Sequence, residues 1–386
     1  NLVFHLMIYS HEDHIRHVIN SPFTCYDWER TKATYGLNLK DIYPVKKIFS
    51  SDLFSKNRGI NIYKKNLLNK TINYKKYIFK KNKVLIKKLN YKILGKDVYE
   101  FCYHVITFTI KNYLKYYFQK NNNFTSKQIV TFFKKLYKNK KLKEIKIFYK
   151  KLIKFKKTDQ IEIDQNEAID ITLNFLQNLE TYIGKKEKSC IKLDFIRHFK
   201  TKYKKNLFIG QKLDSSILKK NKKNKNYDIA YTSPSLRCLQ TSKLYSKKQL
   251  ISNYLKEINY GKVEGLTYQQ LLIQYPYIVK KWKEKKDIKF PSGESTMDVS
   301  RRVQKFIKLI KNLEIKKKYL IVTHNVFLRC LIGNYFKIPI FKWHLIKIDY
   351  GENFKFKNLE KKLFINITRS KFRKIFKKIY ENSNNT

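Results

Sequence analysis

Two histidines, two arginines and one glutamate stand out in the second half of a lysine-rich chain. Residues 191–203 read IKLDFIRHFKTKY, an apolar run that feeds straight into Arg197 and His198. Residues 231–242 read YTSPSLRCLQTS and carry Arg237 just inside an expected helix, after Ser233-Pro234; proline is favourable at a helix start. LKEINYGKVEGLT (255–267) places Glu257 four residues before Gly261, and LIVTHNVFLRC (320–330) carries His324 at an expected strand end. The set suits phosphoryl transfer. A neutral imidazole can attack phosphorus. Two guanidinium groups can hold the phosphoryl oxygens and offset the charge of an in-line transition state. A carboxylic acid can protonate the leaving oxygen. The arginines and the second histidine supply the positive field, so neither metal nor cofactor is expected.

These residues need a scaffold that brings them to one edge. Short β-rich runs recur at 191–196, 227–231 and 319–323, separated by helical patterns at 235–248, 267–276 and 296–313. Strands alternating with helices predict an α/β fold with a mostly parallel sheet and helices on both faces. Ligands in such folds bind at the carboxyl ends of strands, where Arg197, His198 and His324 fall.

Five stretches resemble, in order, the motifs of the histidine phosphatase superfamily, the phosphoglycerate-mutase-like or RHG family, over roughly 190–350. IRHFKT looks like its Arg-His-Gly-x-Thr stretch, with FIG (208–210) and Asp214 in the turn that follows. TSPSLRCLQT looks like Ser-Pro-x-x-Arg-x-x-Gln-Thr, and EINYGKVEGL looks like Glu-x-x-x-Gly-x-x-Glu-Gly. PSGES (291–295) and VTHN look like the late Pro-x-Gly-Glu-Ser and His-Asn motifs. The resemblance implies a phosphoglycerate-mutase-like fold and a phosphomonoester hydrolase working through a phosphohistidine. It makes His198 the nucleophile, Arg197, Arg237 and His324 the phosphate pocket, and Glu257 the proton donor. Thr201, the backbone at Asn325 and, more remotely, Glu294 are implied substrate contacts. The family's asparagine falls on Lys204, and Asn206 replaces it if the loop is one residue shorter.

Two further departures are visible. Phe199 stands where the motif has glycine, and its Cβ is expected to crowd the turn after His198; Lys200 stands where glutamate is common. The expected substrate is a small phosphorylated metabolite such as a sugar phosphate, and GLTYQQLLIQYP resembles the sugar-phosphatase and fructose-bisphosphatase-like branch. A phosphoglycerate-mutase-type phosphotransferase remains open, as does a degenerate module that only binds phosphate or nucleic acid.

Composition bounds the partners. The 386 residues carry a formal charge of +55, and of 85 basic residues only ten are arginine. Abundant Lys, Asn, Ile, Tyr and Phe match A/T-rich coding, so the charge does not by itself indicate nucleic acid, which is not the expected partner. Arginine is the better bidentate phosphate ligand, so each well-placed arginine is informative here. Five scattered cysteines without a CxxC pair point to a reducing, cytoplasmic setting. No apolar run reaches the roughly 20 residues a membrane span needs, and the opening NLVFHLMIYS lacks the basic flank of a signal peptide. Oligomeric state is not legible.

The domain reading is 1–185, largely helical and of unknown function; 186–366, histidine-phosphatase-like; and 367–386, a basic tail expected to fray. Helical spacing is expected at 27–41 (closed by Gly36), 98–118, 126–155 and 166–184, with Gly184 as a stop. SHEDHIRH (10–17) lines up His11, His14 and His17, but without the His-Glu-x-x-His pattern of a zinc site it reads as a polar surface helix.

Overall fold

The computed structural model describes residues 58–80, 83–118, 124–203, 206–218, 227–367 and 369–381. The expectations for residues 10–17 and 27–41 lie outside the described residues. Two compact units divide the described chain, 58–188 and 189–381. Among the described residues no helix is long and apolar enough to cross a membrane.

The first unit is helical with one addition. Helix α1 (Arg58–Leu68) leads into a hairpin, β1 (Thr71–Lys80) with β2 (Lys83–Lys92), followed by α2 (Lys96–Phe118). The single helical run expected at 126–155 is two helices, α3 (Ser126–Leu136) and α4 (Asn139–Thr158). The chain turns extended at Tyr137, and Asn139 takes a φ of 50°. A capping box between Thr125 and Gln128 starts α3. Helix α5 (Gln165–Lys188) runs through Gly184 rather than stopping there. An interior glycine costs a helix only about 1 kcal/mol; the buried stripe Ala168, Phe175, Leu176, Leu179 and Ile183 outweighs it.

The second unit holds a six-stranded mixed sheet flanked by helices. Its strands are β3 (Ile191–Arg197), β4 (Ile229–Thr232), β5 (Gln249–Ile251), β6 (Lys318–Thr323), β7 (Asn353–Leu359) and β8 (Lys362–Asn366). They lie in the order β5-β4-β6-β3-β7-β8. The first four are mutually parallel; β7 and β8 add antiparallel at one edge. Between them run α6 (Leu236–Lys243), α7 (Tyr268–Gln274), α8 (Pro276–Lys283), α9 (Thr296–Ile310) and α10 (Asn325–Tyr335), and α11 (Arg369–Glu381) closes the chain.

The central parallel strands β4 and β6 are buried along most of their length, which is why they read as continuous apolar runs, while β5 at the sheet edge is largely exposed. Leu193, Phe195 and Ile321 face the main core with Val303 and Phe306 of α9 and Phe327 and Leu331 of α10. Ile196, Ala230, Leu320 and Val322 face Cys238 of α6. Within the tail expected to fray, residues 369–381 dock as α11. Ile375, Phe376 and Ile379 are buried in the same core, and the Phe376 ring meets Phe336 edge-on at 5.1 Å. Each buried side chain of that size is worth roughly 2 kcal/mol, enough to hold a helix with a strongly basic outer face.

Candidate active site

Parallel register brings the chemistry together. Arg197 at the end of β3 pairs with Thr323 at the end of β6, and Thr232 of β4 pairs with Val322. The His198 N–H donates to the Thr323 carbonyl at 3.0 Å, and the Ser233 N–H donates to the Val322 carbonyl at 3.1 Å. The next residue after β6 is His324, which is the N-cap of α10. The two imidazole rings therefore lie 5.2 Å apart, edge to face.

His198 is buried, and its Nδ1 lies 2.7 Å from the Phe199 carbonyl. A carbonyl can only accept, so Nδ1 carries the proton and Nε2 keeps its lone pair. Burial, then the positive charges of Arg237 and Arg197, hold its pKa well below the usual imidazole range. The imidazole is neutral at physiological pH, the form a nucleophile needs.

Arg237 is almost wholly buried in the first turn of α6. Pro234 sits just ahead of the N-cap, Ser235, rather than inside the helix. One Nη1 donates to Asp214 and to the Leu213 carbonyl, both at 2.9 Å, and Nη2 donates to the Gly210 carbonyl at 2.8 Å. Asp214 also accepts from the N–H groups of Leu236 and Arg237, capping α6. Arg237 Nε donates to His324 Nδ1 at 3.3 Å, which leaves the His324 proton on Nε2, 2.8 Å from the Ser233 hydroxyl. Burial and the Arg237 charge keep His324 neutral as well.

Glu257 is only 6% exposed. Its carboxyl accepts from the N–H groups of Ile258, Asn325 and Val326 at 3.0–3.2 Å, so it straddles the start of α10. Burial still outweighs those bonds and the two arginines, and raises its pKa above the usual carboxylate value. A raised carboxyl beside a depressed imidazole is the division expected of an acid and a nucleophile.

Five residues singled out in the sequence thus share one network: Arg197, His198, Arg237, Glu257 and His324. The others are placed differently. Thr201 is buried and bridges to Ile217. Asn206 is exposed in a turn with φ of 74°. The Asn325 N–H is taken by Glu257, while its side-chain Oδ1 is buried without a hydrogen bond. Glu294 forms a bidentate pair with Arg302 at 2.8 and 2.9 Å and accepts from the Asn259 N–H. Arg302 in turn donates to the carbonyls of Tyr254, Lys256 and Glu257. Glu294 therefore braces the segment that carries Glu257.

Several contributors were not assigned roles from sequence. Ser233 and Asp214 were quoted within motifs, and their contacts supply the role. Glu264, the second glutamate of its motif, accepts from the N–H groups of Gly210, Lys212 and Leu213 and so fixes the loop whose carbonyls hold Arg237. Tyr350 had no signal beyond its type; its ring lies 3.7 Å from the Arg197 guanidinium and 5.5 Å from the His198 ring. Beside the network opens a cavity of about 530 Å³. Ile258 and Val326, the chain neighbours of Glu257 and Asn325, line it, as do Tyr260, Arg329, Lys283 and Lys286.

The crowding expected at Phe199 does not arise there. Its φ is not among the positive values of the described residues, and its ring stacks on Tyr245 at 6.2 Å. The space comes from Gly351, which takes a φ of 72° and whose missing Cβ would meet the Phe199 ring at 2.8 Å. Gly351→Ala is expected to destabilise the protein by about 2–3 kcal/mol, from the left-handed backbone and the clash together. Phe199→Ala in that background should recover the clash portion. Urea denaturation of the single and double variants measures it; a loss of only about 1–2 kcal/mol in Gly351→Ala, unchanged by Phe199→Ala, would mean the ring moves aside freely and the backbone cost alone remains.

The family model of the histidine phosphatase superfamily, branch 1, matches residues 195–360. The C-terminal half of the chain is a histidine phosphatase superfamily domain. Among curated relatives, fructose-2,6-bisphosphatase of Saccharomyces cerevisiae is 31% identical over 110 residues, 28% of this chain and 24% of that protein. The 6-phosphofructo-2-kinase/fructose-2,6-bisphosphatase of Caenorhabditis elegans is 32% identical over 114 residues, again 28% and 24%. Phosphoserine phosphatase 1 of Hydrogenobacter thermophilus is 22% identical over 125 residues, 31% of this chain and 59% of that one. The matches span about a quarter of the first of these relatives. Among solved structures, the alpha-ribazole phosphatase of Shigella flexneri superposes with a TM-score of 0.39 at 19% identity, covering 46% of this chain and 97% of that one.

Proposed function

We propose that the chain hydrolyses the phosphomonoester of a small phosphorylated sugar through a phosphohistidine. The observation that carries this reading is His198 held neutral, with the proton on Nδ1, between two guanidinium groups and near a carboxyl of raised pKa. In the first step the Nε2 lone pair attacks phosphorus. The P–O ester bond breaks, and the leaving oxygen takes the Glu257 proton. In the second step water attacks phosphorus and gives its proton to the Glu257 carboxylate. The P–N bond breaks, and both groups return to their starting forms. Arg197 and Arg237 offset the charge of the phosphoryl oxygens throughout.

The relatives' names point to a bisphosphorylated sugar, and the adjoining cavity suits one. Lys283, Lys286 and Arg329 give it three cations, and aromatic walls such as Trp282 and Phe341 can lie against a sugar face. Phe199 gives no reason to prefer a binding-only module, because Gly351 accommodates it. The test is phosphate release from p-nitrophenyl phosphate and from a panel of sugar mono- and bisphosphates, with and without chelator. Release is expected to survive chelator, with the highest kcat/KM on a bisphosphate. A folded protein that releases phosphate from none of them sinks the reading.

The pKa shifts add a pH signature. His198 must be unprotonated and its pKa is depressed, so the acid limb lies below the usual imidazole value of 6.5. Glu257 must be protonated and its pKa is raised, so the alkaline limb lies above the usual carboxylate value of 4.5. The pH–rate profile is therefore bell-shaped, with His198 setting the acid limb and Glu257 the alkaline limb. Glu257→Gln should lower kcat by roughly 100- to 10,000-fold on a sugar phosphate and remove the alkaline limb. The loss should be smaller on p-nitrophenyl phosphate, whose leaving group needs no proton. A pH–rate profile that keeps its alkaline limb in the variant assigns the acid elsewhere.

A further inference from the structure

The two arginines of the clamp are held by different means. Arg237 is fixed by hydrogen bonds to Asp214, two carbonyls and His324. Arg197 makes one side-chain hydrogen bond, Nη1 to the Ile348 carbonyl at 2.7 Å, and its buried Nε has no hydrogen-bond partner among the described residues. What else orients it is the ring of Tyr350, whose centroid lies 3.7 Å from the guanidinium carbon. Stacking fixes the plane of a guanidinium without consuming its donors. A carbonyl or carboxylate in that place would take N–H groups that a phosphoryl oxygen could use.

Tyr350 is 44% exposed, so core packing does not hold it. Its backbone does. The Gly351 N–H lies 3.1 Å from the Arg197 carbonyl and 3.3 Å from that of His198, while the Arg197 N–H donates to the Glu352 carbonyl at 3.0 Å. Helix α11 secures the same turn from outside. Lys374 pairs with Asp349 at 2.8 Å and Glu352 at 2.7 Å, Lys371 pairs with Glu352 at 3.0 Å, and the Lys347 N–H donates to the Ile375 carbonyl. An exposed ring on a pinned turn, resting on a catalytic cation, has the character of a device for placing that cation.

We propose that Tyr350 is a positioning residue that sets the Arg197 guanidinium for the phosphoryl group by stacking on it. The proposal rests on the phosphatase reading above. Its test is the binding of inorganic phosphate, read by calorimetry and as competitive inhibition of p-nitrophenyl phosphate hydrolysis. Tyr350→Leu should weaken phosphate binding roughly two- to thirtyfold, the range such a stack contributes. Tyr350→Phe keeps the ring face and should stay within about twofold of the parent. The thermal midpoint should change little in either variant, because Tyr350 is exposed rather than packed in the core. A Leu variant that binds phosphate as the parent does overturns the proposal, and so does a Phe variant as weak as Leu, which would shift the role to the hydroxyl. A parent protein that neither binds phosphate nor turns over overturns this proposal and the phosphatase reading together; binding in the parent with no response to Leu sinks this one alone.

Discussion

His198→Ala is expected to reduce turnover of p-nitrophenyl phosphate by roughly 10,000-fold or more. Removal of a nucleophile leaves only binding and electrostatic help to the uncatalysed reaction, and that residue of activity is small. The variant should also fail to take up label from a phosphorylated substrate under a rapid alkaline quench, a condition in which phosphohistidine survives. The fold should persist. The lost bond to the Phe199 carbonyl costs about 1–3 kcal/mol. Equilibrium unfolding of the variant separates a dead site from a dead protein. Turnover within tenfold of the parent, or labelling that persists in a folded variant, would remove His198 from the nucleophile's role.

Four of the five candidate residues, Arg197, His198, Arg237 and His324, were legible because they lie where a strand ends or a helix begins, and a parallel ladder aligns those ends; Glu257 lies in a loop and was singled out by its motif. Arg197 and His324 needed only the β3/β6 register to meet. A mixed sheet was expected, but the strands of its antiparallel edge were not placed, although β7, NFKFKNL, alternates buried and exposed residues along most of its length. In a chain where lysine occurs everywhere, Phe-Lys-Phe-Lys reads as composition before it reads as a strand. The β1/β2 hairpin was hidden in the same way, since its strands, TINYKKYIFK and KVLIKKLNYK, are broken throughout by lysine. Tyr350 is one of 29 tyrosines, and only the antiparallel pairing of Ile196 with Asn353 lays its turn beside His198. The Phe199 expectation failed for a related physical reason: the space it needed was made at Gly351, a position remote in sequence and adjacent only through that pairing.

Arg237→Lys should lower kcat/KM by about 1,000-fold, although it preserves charge, size class and helix propensity. A planar fork satisfies Asp214, the Leu213 and Gly210 carbonyls and His324 at once. A lysine offers one point charge with no fixed plane, and an arginine stabilising phosphoryl transfer is worth 1,000-fold or more. Stability should fall as well, by about 1–3 kcal/mol, because buried acceptors lose their partners. Arg237→Met distinguishes geometry from charge. The Arg237 cation helps hold the His198 pKa down, so its loss should move the acid limb of the pH–rate profile upward, towards the usual imidazole range, while Arg237→Lys leaves that limb nearer its place. Matching acid limbs in parent, Lys and Met variants, each shown to be folded, would mean that Arg237 acts on the substrate without touching the electrostatics of the nucleophile, and the shared pocket inferred from the network would have to be redrawn.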